Sequence, residues 1–177
     1  NFQIGNKILL NWKSKGENKV GYFSTELIKP ISPLFFDDKK RSICVLAATS
    51  ILKILLPERQ INKKIYLSFE QLTNHFDFDD WIKLYIFWEL SLIKELGFEI
   101  SFLDTKKTTV NIDKSFQVNN SHLKIPALLL KKDIKDITKV EIKEALIFNR
   151  NLLIENFITP YRLRFPISRN ILERYYN

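Results

Sequence analysis

Hydrophobic residues recur at helical spacing most densely between residues 81 and 98. Apolar side chains fill one stripe of this segment and much of its remaining circumference, and the stripe consists of Trp81, Leu84, Tyr85, Trp88, Leu92 and Leu96. A helix that is apolar around most of its surface is typical of the centre of a helical bundle. Gly97 is placed to end the helix in the left-handed conformation. Glu89 interrupts the apolar run, and we interpret it as an exposed edge residue or as a buried carboxylate paired with Arg or Lys rather than as a catalytic group.

The same periodicity, together with polar caps and proline breaks, predicts four further helices. They cover about residues 38–56, 63–75, 138–157 and 168–176. Asp37 or Asp38 is expected to cap the first of them, Asp79 or Asp80 to cap the aromatic helix, and Ser168 to cap the last.

Alternating positions near the N-terminus predict two strands, Lys7–Trp12 and Lys19–Thr25, joined by a polar turn. Prolines at positions 30 and 33 then mark a boundary. Residues 99–135 are less regular, and a small hairpin is predicted there from 108–112 and 115–118 around a turn at 113–114. The predicted fold class is mainly α, with a few strands before the helices.

Composition adds a basic character to this picture. The 177 residues carry 28 Lys and Arg against 20 Asp and Glu, which gives a net charge of +8 with the excess at the two ends of the chain. A basic surface attracts nucleic acid or anionic partners, while the solubility of a Lys-rich protein explains the charge equally well. The single Cys44 excludes an internal disulfide and a thiolate zinc cluster, and it suits a reducing cytoplasm.

Residue patterns typical of enzymes are missing from the sequence. It has no phosphate-binding glycine loop, no dinucleotide-binding glycine motif and no H-E-x-x-H metal motif. Asp77, Asp79 and Asp80 form the densest acidic cluster, but capping of the following helix explains negative charge at this position. The sequence therefore predicts no catalytic residue, no cofactor and no bound metal, zinc included.

Three short motifs resemble the family of the bacterial recombination mediator RecO. The first is L-L-P-E-R at residues 55–59, which closes the first helix of that family's helical domain. The second is W-E-L at residues 88–90 with L-G-F at 96–98, and the third is P-I-S-R at 166–169 followed by Leu172. Each motif is weak alone, but their order and spacing over about residues 36–177 make the resemblance fairly specific.

The resemblance implies two domains. In the family, a β-barrel of the OB-fold type precedes the helical domain, so residues 1–33 are expected to be the last strands of a truncated OB-fold, with the earlier strands upstream of Asn1. Residues 36–177 are then the helical domain, with an irregular insert at about 99–135. The family often carries a four-cysteine zinc module after the L-G-F helix, but this sequence has no Cys in that insert.

The function implied by the resemblance is DNA repair by recombination, without catalysis of bond chemistry. RecO-like proteins bind single- and double-stranded DNA, anneal complementary strands, and act with RecR to load RecA onto DNA coated by single-strand-binding protein, whose acidic C-terminal tail is a further expected partner. The expected location is the cytoplasm, at the nucleoid, with no membrane partner. Two alternatives remain open: a protein-interaction module without DNA function, and, less favoured, a metal-dependent DNA-processing enzyme that would use the carboxylates at 77–80.

Candidate contacts with nucleic acid follow from the positions of basic and aromatic residues. Lysines neutralise phosphates and aromatic rings stack on unpaired bases. Tyr22 and Phe23 are further stacking candidates beside the tryptophan at position 12, with core packing favoured for at least one of the three. The predicted nucleic-acid contacts are Lys7, Trp12, Lys13, Lys15, Lys19, Lys39, Lys40 and Arg41.

A second basic cluster lies near the C-terminus and contains Arg162, Arg164 and Arg169. The guanidinium group matches both phosphate and carboxylate, so this cluster is predicted to contact DNA or an acidic partner. For Arg169 the alternative is a structural pairing with a carboxylate such as Glu89 or Glu155.

Overall fold

The structure is a computed structural model, and it describes residues 3–14, 16, 20–98, 100, 115–118, 121–130 and 137–177. These residues form a helical body preceded by a β-hairpin, which confirms the predicted fold class. In chain order the elements are β1 (Lys7–Lys13), β2 (Tyr22–Lys29), a 3-10 helix (Ser32–Phe35), α1 (Lys39–Leu55), α2 (Lys63–Asn74), α3 (Trp81–Glu95), β3 (Ser115–Val118), β4 (Ser121–Lys124), α4 (Ala127–Leu130), α5 (Lys139–Leu153), a π-helix (Ile154–Ile158) and α6 (Ile167–Arg174).

The first two strands pair antiparallel and give the hairpin two unlike faces. Trp12 lies opposite Phe23, and Lys13 lies opposite Tyr22. Since side chains alternate along a strand, the two aromatic residues of the first pair share a face with the apolar Leu10, whereas the second pair lies on the other face. The second strand lies at Tyr22–Lys29, later in the chain than the predicted Lys19–Thr25.

The predicted helices are present, with small shifts at their ends. Asp38 caps α1, since its carboxylate accepts hydrogen bonds from the backbone N–H groups of Lys40 and Arg41, both at 3.0 Å. Thr138 and Glu141 form a reciprocal capping box at the start of α5. The long helix predicted at 138–157 consists of α5 and the π-helix that directly follows it.

Two predicted helix starts differ from the structure. Asp80 occupies the capping position of α3, but its side chain makes no capping hydrogen bond and contacts Lys83 instead, at 3.3 Å. The prediction that Ser168 caps α6 is wrong, because the helix already begins at Ile167, after Pro166. The Ser168 hydroxyl donates to the Leu46 carbonyl oxygen on α1 at 3.2 Å.

The core is built around α3, as its sequence predicted. This helix packs against α2 and α5, while α6 packs against α1. Tyr85, Ile86, Leu90 and Ile93 have no solvent exposure, and Gly97 ends the segment with φ +97°. Among the described residues, the helices are all too short or too polar to cross a membrane.

A second hairpin follows in the irregular insert. The predicted strand at 115–118 is present, but it pairs antiparallel with β4, at 121–124, which was not predicted. Its predicted partner at 108–112 lies outside the described residues. β4, with the sequence S-H-L-K, alternates less regularly than β3, with S-F-Q-V, and its sequence therefore gave little indication of a strand.

Candidate functional site

A buried ion pair lies at the centre of the helical body. The side chains of Arg169 on α6 and Glu89 on α3 both have zero exposure, and two hydrogen bonds join them, from Nε to Oε1 at 2.6 Å and from Nη2 to Oε2 at 3.0 Å. The same Nη2 donates to the Leu146 carbonyl oxygen on α5 at 2.8 Å. One guanidinium therefore connects three helices.

Neighbouring polar groups complete this network. The Tyr85 hydroxyl donates to Glu89 Oε1 at 2.7 Å, and Asn149 Nδ2 donates to Glu89 Oε2 at 3.1 Å. Glu173 lies near Arg169 Nη1 at 3.6 Å and accepts from Arg150 at 2.7 Å. Glu89 thus accepts hydrogen bonds from three different side chains, which offsets the cost of burying its polar oxygens.

The electrostatics show the same balance between burial and pairing. Burial is the largest single influence and opposes the charge on Arg169, but the interactions with Glu89, Tyr85 and Glu173 together outweigh it and raise the pKa of the guanidinium. Burial, reinforced by the negative Glu89, raises the pKa of Tyr85 well above its ordinary value, so the phenol remains a hydrogen-bond donor.

This network corrects one predicted site residue. Arg169 was grouped with the arginines that contact DNA or an acidic partner, but a side chain with zero exposure that is paired with Glu89 does not reach a ligand. The alternative interpretation, a structural pairing with Glu89, is the one found. The third motif of the sequence, P-I-S-R, is therefore a packing signature of α6, and its serine also contacts α1.

The other two arginines of the cluster lie at the surface. Arg162 and Arg164 are both exposed, in the loop of residues 159–166 that follows the π-helix, here called the arginine loop. Arg162 has φ 53°, a left-handed conformation that is uncommon for any residue other than glycine. The structure thus separates the predicted cluster into a buried residue and an exposed pair.

The arginine loop borders an apolar groove of about 500 Å³, here called the α1–π groove. Its walls come from the end of α1, the residues after it, the end of α3, the π-helix and the arginine loop. The lining residues are Ile54, Leu55, Leu56, Pro57, Gln60, Asn62, Glu95, Leu96, Phe157, Tyr161 and Leu163. Arg59, which lies between two of these residues in sequence, is the second described non-glycine residue with positive φ, at 61°.

The basic residues at the start of α1 are held by contacts within the body. The Arg41 guanidinium pairs with Asp38, donates to the carbonyl oxygens of Phe76 and Phe78, and lies 5.6 Å from the centre of the Trp81 ring. These contacts support a structural role for Arg41 rather than the predicted phosphate contact. Lys39 and Lys40 are exposed, and the ammonium group of Lys40 lies 5.6 Å from the ring centre of Tyr176.

The Asp38 carboxylate beside Arg41 is also perturbed. Partial burial favours its neutral form, but the backbone and side-chain hydrogen bonds from Arg41 outweigh this effect and lower its pKa. Arg41 therefore stabilises the charged carboxylate of Asp38 and also binds the backbone of the residues that precede α3.

The predicted contacts on the hairpin differ in their exposure and in their partners. Lys13 and Tyr22 lie directly opposite each other, and both are exposed. Trp12 and Phe23 are also exposed, at 56% and 60%, and their ring centres are 4.9 Å apart on the apolar face. Lys7 forms an ion pair with Glu70 on α2. The predicted Lys15 and Lys19 lie outside the described residues.

The acidic residues before α3 do not form a metal site. Asp77, Asp79 and Asp80 are exposed, and the described residues contain no group of three or more His, Cys, Asp or Glu side chains arranged to hold a metal ion. The carboxylate cluster required by the DNA-processing alternative is therefore not assembled in the part of the chain that the structure describes.

Comparison with known proteins identifies the helical body. A family model described as "Recombination protein O C terminal" matches residues 37–161. A DNA repair protein RecO from Ehrlichia chaffeensis is 34% identical over 111 residues, covering 62% of this chain and 44% of the relative. Another from a Wolbachia of Drosophila simulans is 30% identical over 117 residues, covering 65% of this chain and 49% of the relative.

A longer match covers most of the chain. The DNA repair protein RecO from Rickettsia rickettsii is 28% identical over 180 residues, covering 88% of this chain and 73% of the relative. Against the first relatives, the chain spans about half of their length. No solved structure matches the chain significantly.

Proposed function

Because the chain belongs to the RecO family of DNA repair and recombination proteins, we propose that it acts as a DNA-binding recombination mediator. It would bind single- and double-stranded DNA in the cytoplasm, anneal complementary strands and, together with RecR, help to load RecA. The family match over residues 37–161 is the observation that carries this proposal. The motifs found in the sequence lie in or beside the matched region.

The hairpin supplies the surface that supports DNA binding best. Lys13 and Tyr22 are cross-strand neighbours on the polar face, so a basic and an aromatic residue share this face. A lysine can neutralise a phosphate while the neighbouring ring stacks on a base. Trp12 and Phe23 share the apolar face, a pattern typical of sheets that cover a core, and we therefore place base stacking on Tyr22 first.

We further propose that residues 1–33 are the last strands of an OB-fold, joined to the helical domain at 36–177. The hairpin ends with β2 at Lys29, and α1 begins at Lys39. This separation supports a boundary between the two domains. A non-catalytic role is part of the same proposal. The interaction-module alternative predicts DNA binding that is weak and insensitive to salt.

The first experiment measures how the affinity for single-stranded DNA depends on salt. Replacing Lys13, Lys15 and Lys19 together by Gln should lower the slope of log affinity against log salt by about 0.7 per lost phosphate contact. A matched triple replacement of Lys124, Lys139 and Lys143, on β4 and α5, removes the same charge and should leave the slope unchanged. Equal slopes for both variants would show that the attraction is diffuse and would remove the hairpin from the site.

A second measurement separates a mediator from a simple DNA-binding protein. The wild-type chain should speed the annealing of complementary single strands coated with single-strand-binding protein, and the hairpin triple variant should lose this effect. Cleavage of either strand on addition of a divalent metal would instead favour the enzyme alternative.

The α1–π groove favours an additional contact with an acidic peptide. Its lining is mostly apolar, Arg59 and the arginine loop border it, and its one acidic lining residue, Glu95, is paired with Lys64 at 3.6 Å. The π-helix that forms part of its wall is a second indication, because π-helices are frequent at functional sites. Apolar lining with cationic edges suits an acidic tail with apolar residues, and we propose the C-terminal tail of single-strand-binding protein as the occupant.

Replacing Arg162 and Arg164 by Ala tests this contact. Affinity for a tail peptide should fall by roughly tenfold, as expected for two charge-assisted contacts at the surface, while affinity for single-stranded DNA should change little. Replacing Lys139 and Lys143 by Ala serves as the charge-matched control. A loss of DNA affinity with unchanged peptide affinity would assign the arginine loop to DNA instead.

A further inference from the structure

The hairpin and α2 enclose a cavity of about 220 Å³, here called the joint cavity. Two lysines of the hairpin, Lys7 and Lys29, line it on one side, and Tyr66, Glu70 and Asn74 of α2 line it on the other. The cavity is smaller than the pockets that enclose a whole drug-sized ligand. A single chemical group is therefore a suitable occupant.

A β-bulge brings the two lysines together. Ile8 pairs with Leu27, whereas Lys7 pairs with Lys29, so Ile28 is an extra residue on β2. In a regular ladder Lys7 would lie opposite Ile28. Bulges re-aim side chains and occur often beside functional sites. Because like charges directly opposite each other destabilise a sheet, this pairing needs a compensating negative charge.

The protein supplies only part of that negative charge. The Lys7 ammonium group pairs with Glu70 and lies 5.9 Å from the ring centre of Tyr66. Lys29 donates to the Oδ1 atom of Asn74 at 2.7 Å, and this acceptor is neutral. Two ammonium groups and one carboxylate thus leave one net positive charge in the cavity. The Lys7 and Glu70 side chains keep 39% and 30% of their exposure, so the cavity remains accessible to an anion.

We propose that the joint cavity binds one phosphate group, supplied by the backbone of a bound DNA strand. Lysine binds phosphate as a point charge, and two lysines facing one cavity provide two such charges. The site would hold the strand where the hairpin meets the helical body, beyond the contacts at Lys13 and Tyr22. Its assignment to DNA rests on the proposed function, while its phosphate chemistry does not.

Inorganic phosphate tests the chemistry without DNA. In phosphate at tenfold excess over its Kd, the wild-type chain should melt about 3–6 °C higher than in chloride of the same ionic strength. Lys29→Gln should abolish this difference, whereas Lys29→Arg, which keeps the charge, and the control Lys139→Gln should retain it. Glu70→Gln should bind phosphate roughly three- to tenfold more tightly, because it removes the competing negative charge.

An oligonucleotide of dT distinguishes a DNA phosphate from free phosphate. Lys29→Gln should weaken binding and lower its salt slope by about 0.7, and Lys139→Gln should leave the slope unchanged. A phosphate shift that survives in Lys29→Gln would overturn the site. If Lys29→Gln abolished the rise in melting temperature but left the salt slope of dT binding unchanged, the site would bind phosphate, and its assignment to the DNA backbone would be overturned. If the chain bound no DNA but showed the Lys29-dependent shift, the phosphate site would stand and the proposed function would fall.

Discussion

Trp88 and Arg169 are buried in the helical body, whereas Trp12 and Lys13, the same kinds of side chain, are exposed on the hairpin. In the body, the buried Arg169 finds its partner inside the protein, and its ion pair with Glu89 and hydrogen bond to Leu146 join α3, α5 and α6. On the hairpin, Trp12 and Lys13 are exposed to solvent and therefore accessible to a ligand. The comparison teaches that residue type does not distinguish the side chains that hold the body together from those that remain accessible to a ligand, whereas burial does.

The two regions also use charge for different purposes. Removing two charges from water is costly, so a buried ion pair adds little net stability. It does favour the arrangement of helices in which both charged groups are paired. Lys7 and Lys13 of the hairpin retain access to solvent, where their charge attracts anions over a longer range. The predictions below test this contrast between the helical body and the hairpin.

The largest effect is expected for Arg169→Ala. This change leaves the Glu89 charge buried without its main partner, and the free energy of unfolding should fall by about 3–5 kcal/mol, measured by urea denaturation. The double replacement Arg169→Met with Glu89→Leu removes both charges and should restore much of the loss. If the double variant were as unstable as the single one, the packing volume of Arg169 rather than the unpaired charge would explain the effect.

Trp88→Ala should destabilise the body to a similar extent. The Trp88 ring is 5% exposed and lies between Phe69 and Tyr85, with ring centres 5.9 Å and 5.8 Å away. Large-to-small changes of buried aromatics cost about 3–5 kcal/mol. The matched hairpin variant Trp12→Ala should change the melting temperature much less. Equal losses for the two tryptophans would contradict the difference in burial.

Asn6→Ala should weaken the hairpin while leaving the helical body intact. The Asn6 Oδ1 atom accepts hydrogen bonds from the backbone N–H groups of Ile31 and Ser32, at 2.8 Å and 3.0 Å. Losing this acceptor should cost about 1–2 kcal/mol locally. Hydrogen exchange should speed up in β1 and β2 but not in α3, and Asn11→Ala provides an exposed control. Faster exchange throughout the chain would show that the hairpin and the body unfold together.

The smallest effect concerns Cys44 and appears only at alkaline pH. Burial, with a smaller contribution from Glu89, raises the pKa of this thiol well above its ordinary value of 9.0. The folded state therefore keeps a proton that the unfolded state loses, so this stabilisation is complete below pH 9 and declines as the pH rises further. Stability should decrease by up to about 1.4 kcal/mol per pH unit above pH 9. Urea denaturation at pH 8, 9 and 10 should show a shallower decline for Cys44→Ala.

The candidate site could be predicted from the sequence only in part. The exposed Arg162 and Arg164 and the basic hairpin followed from clusters of charge, because charged side chains in loops and at turns usually face solvent. Arg169 belongs to the same cluster in sequence but not in space, since the first turn of α6 directs it towards Glu89, 80 positions earlier in the chain. Lys29 was missed because the bulge that places it opposite Lys7 has no signal in the sequence.

The sequence by itself determined the helices, since the apolar period of α3, the Asp38 and Thr138 caps and Gly97 act within a few residues of the chain. It also determined the family, because the motifs keep their order and spacing. Only the tertiary structure decided which side chains meet: that Glu89 pairs with Arg169, that Arg41 holds the residues before α3, and that two lysines share a cavity with Glu70. These contacts join residues far apart in the chain, and their energies depend on burial and geometry that local sequence does not encode.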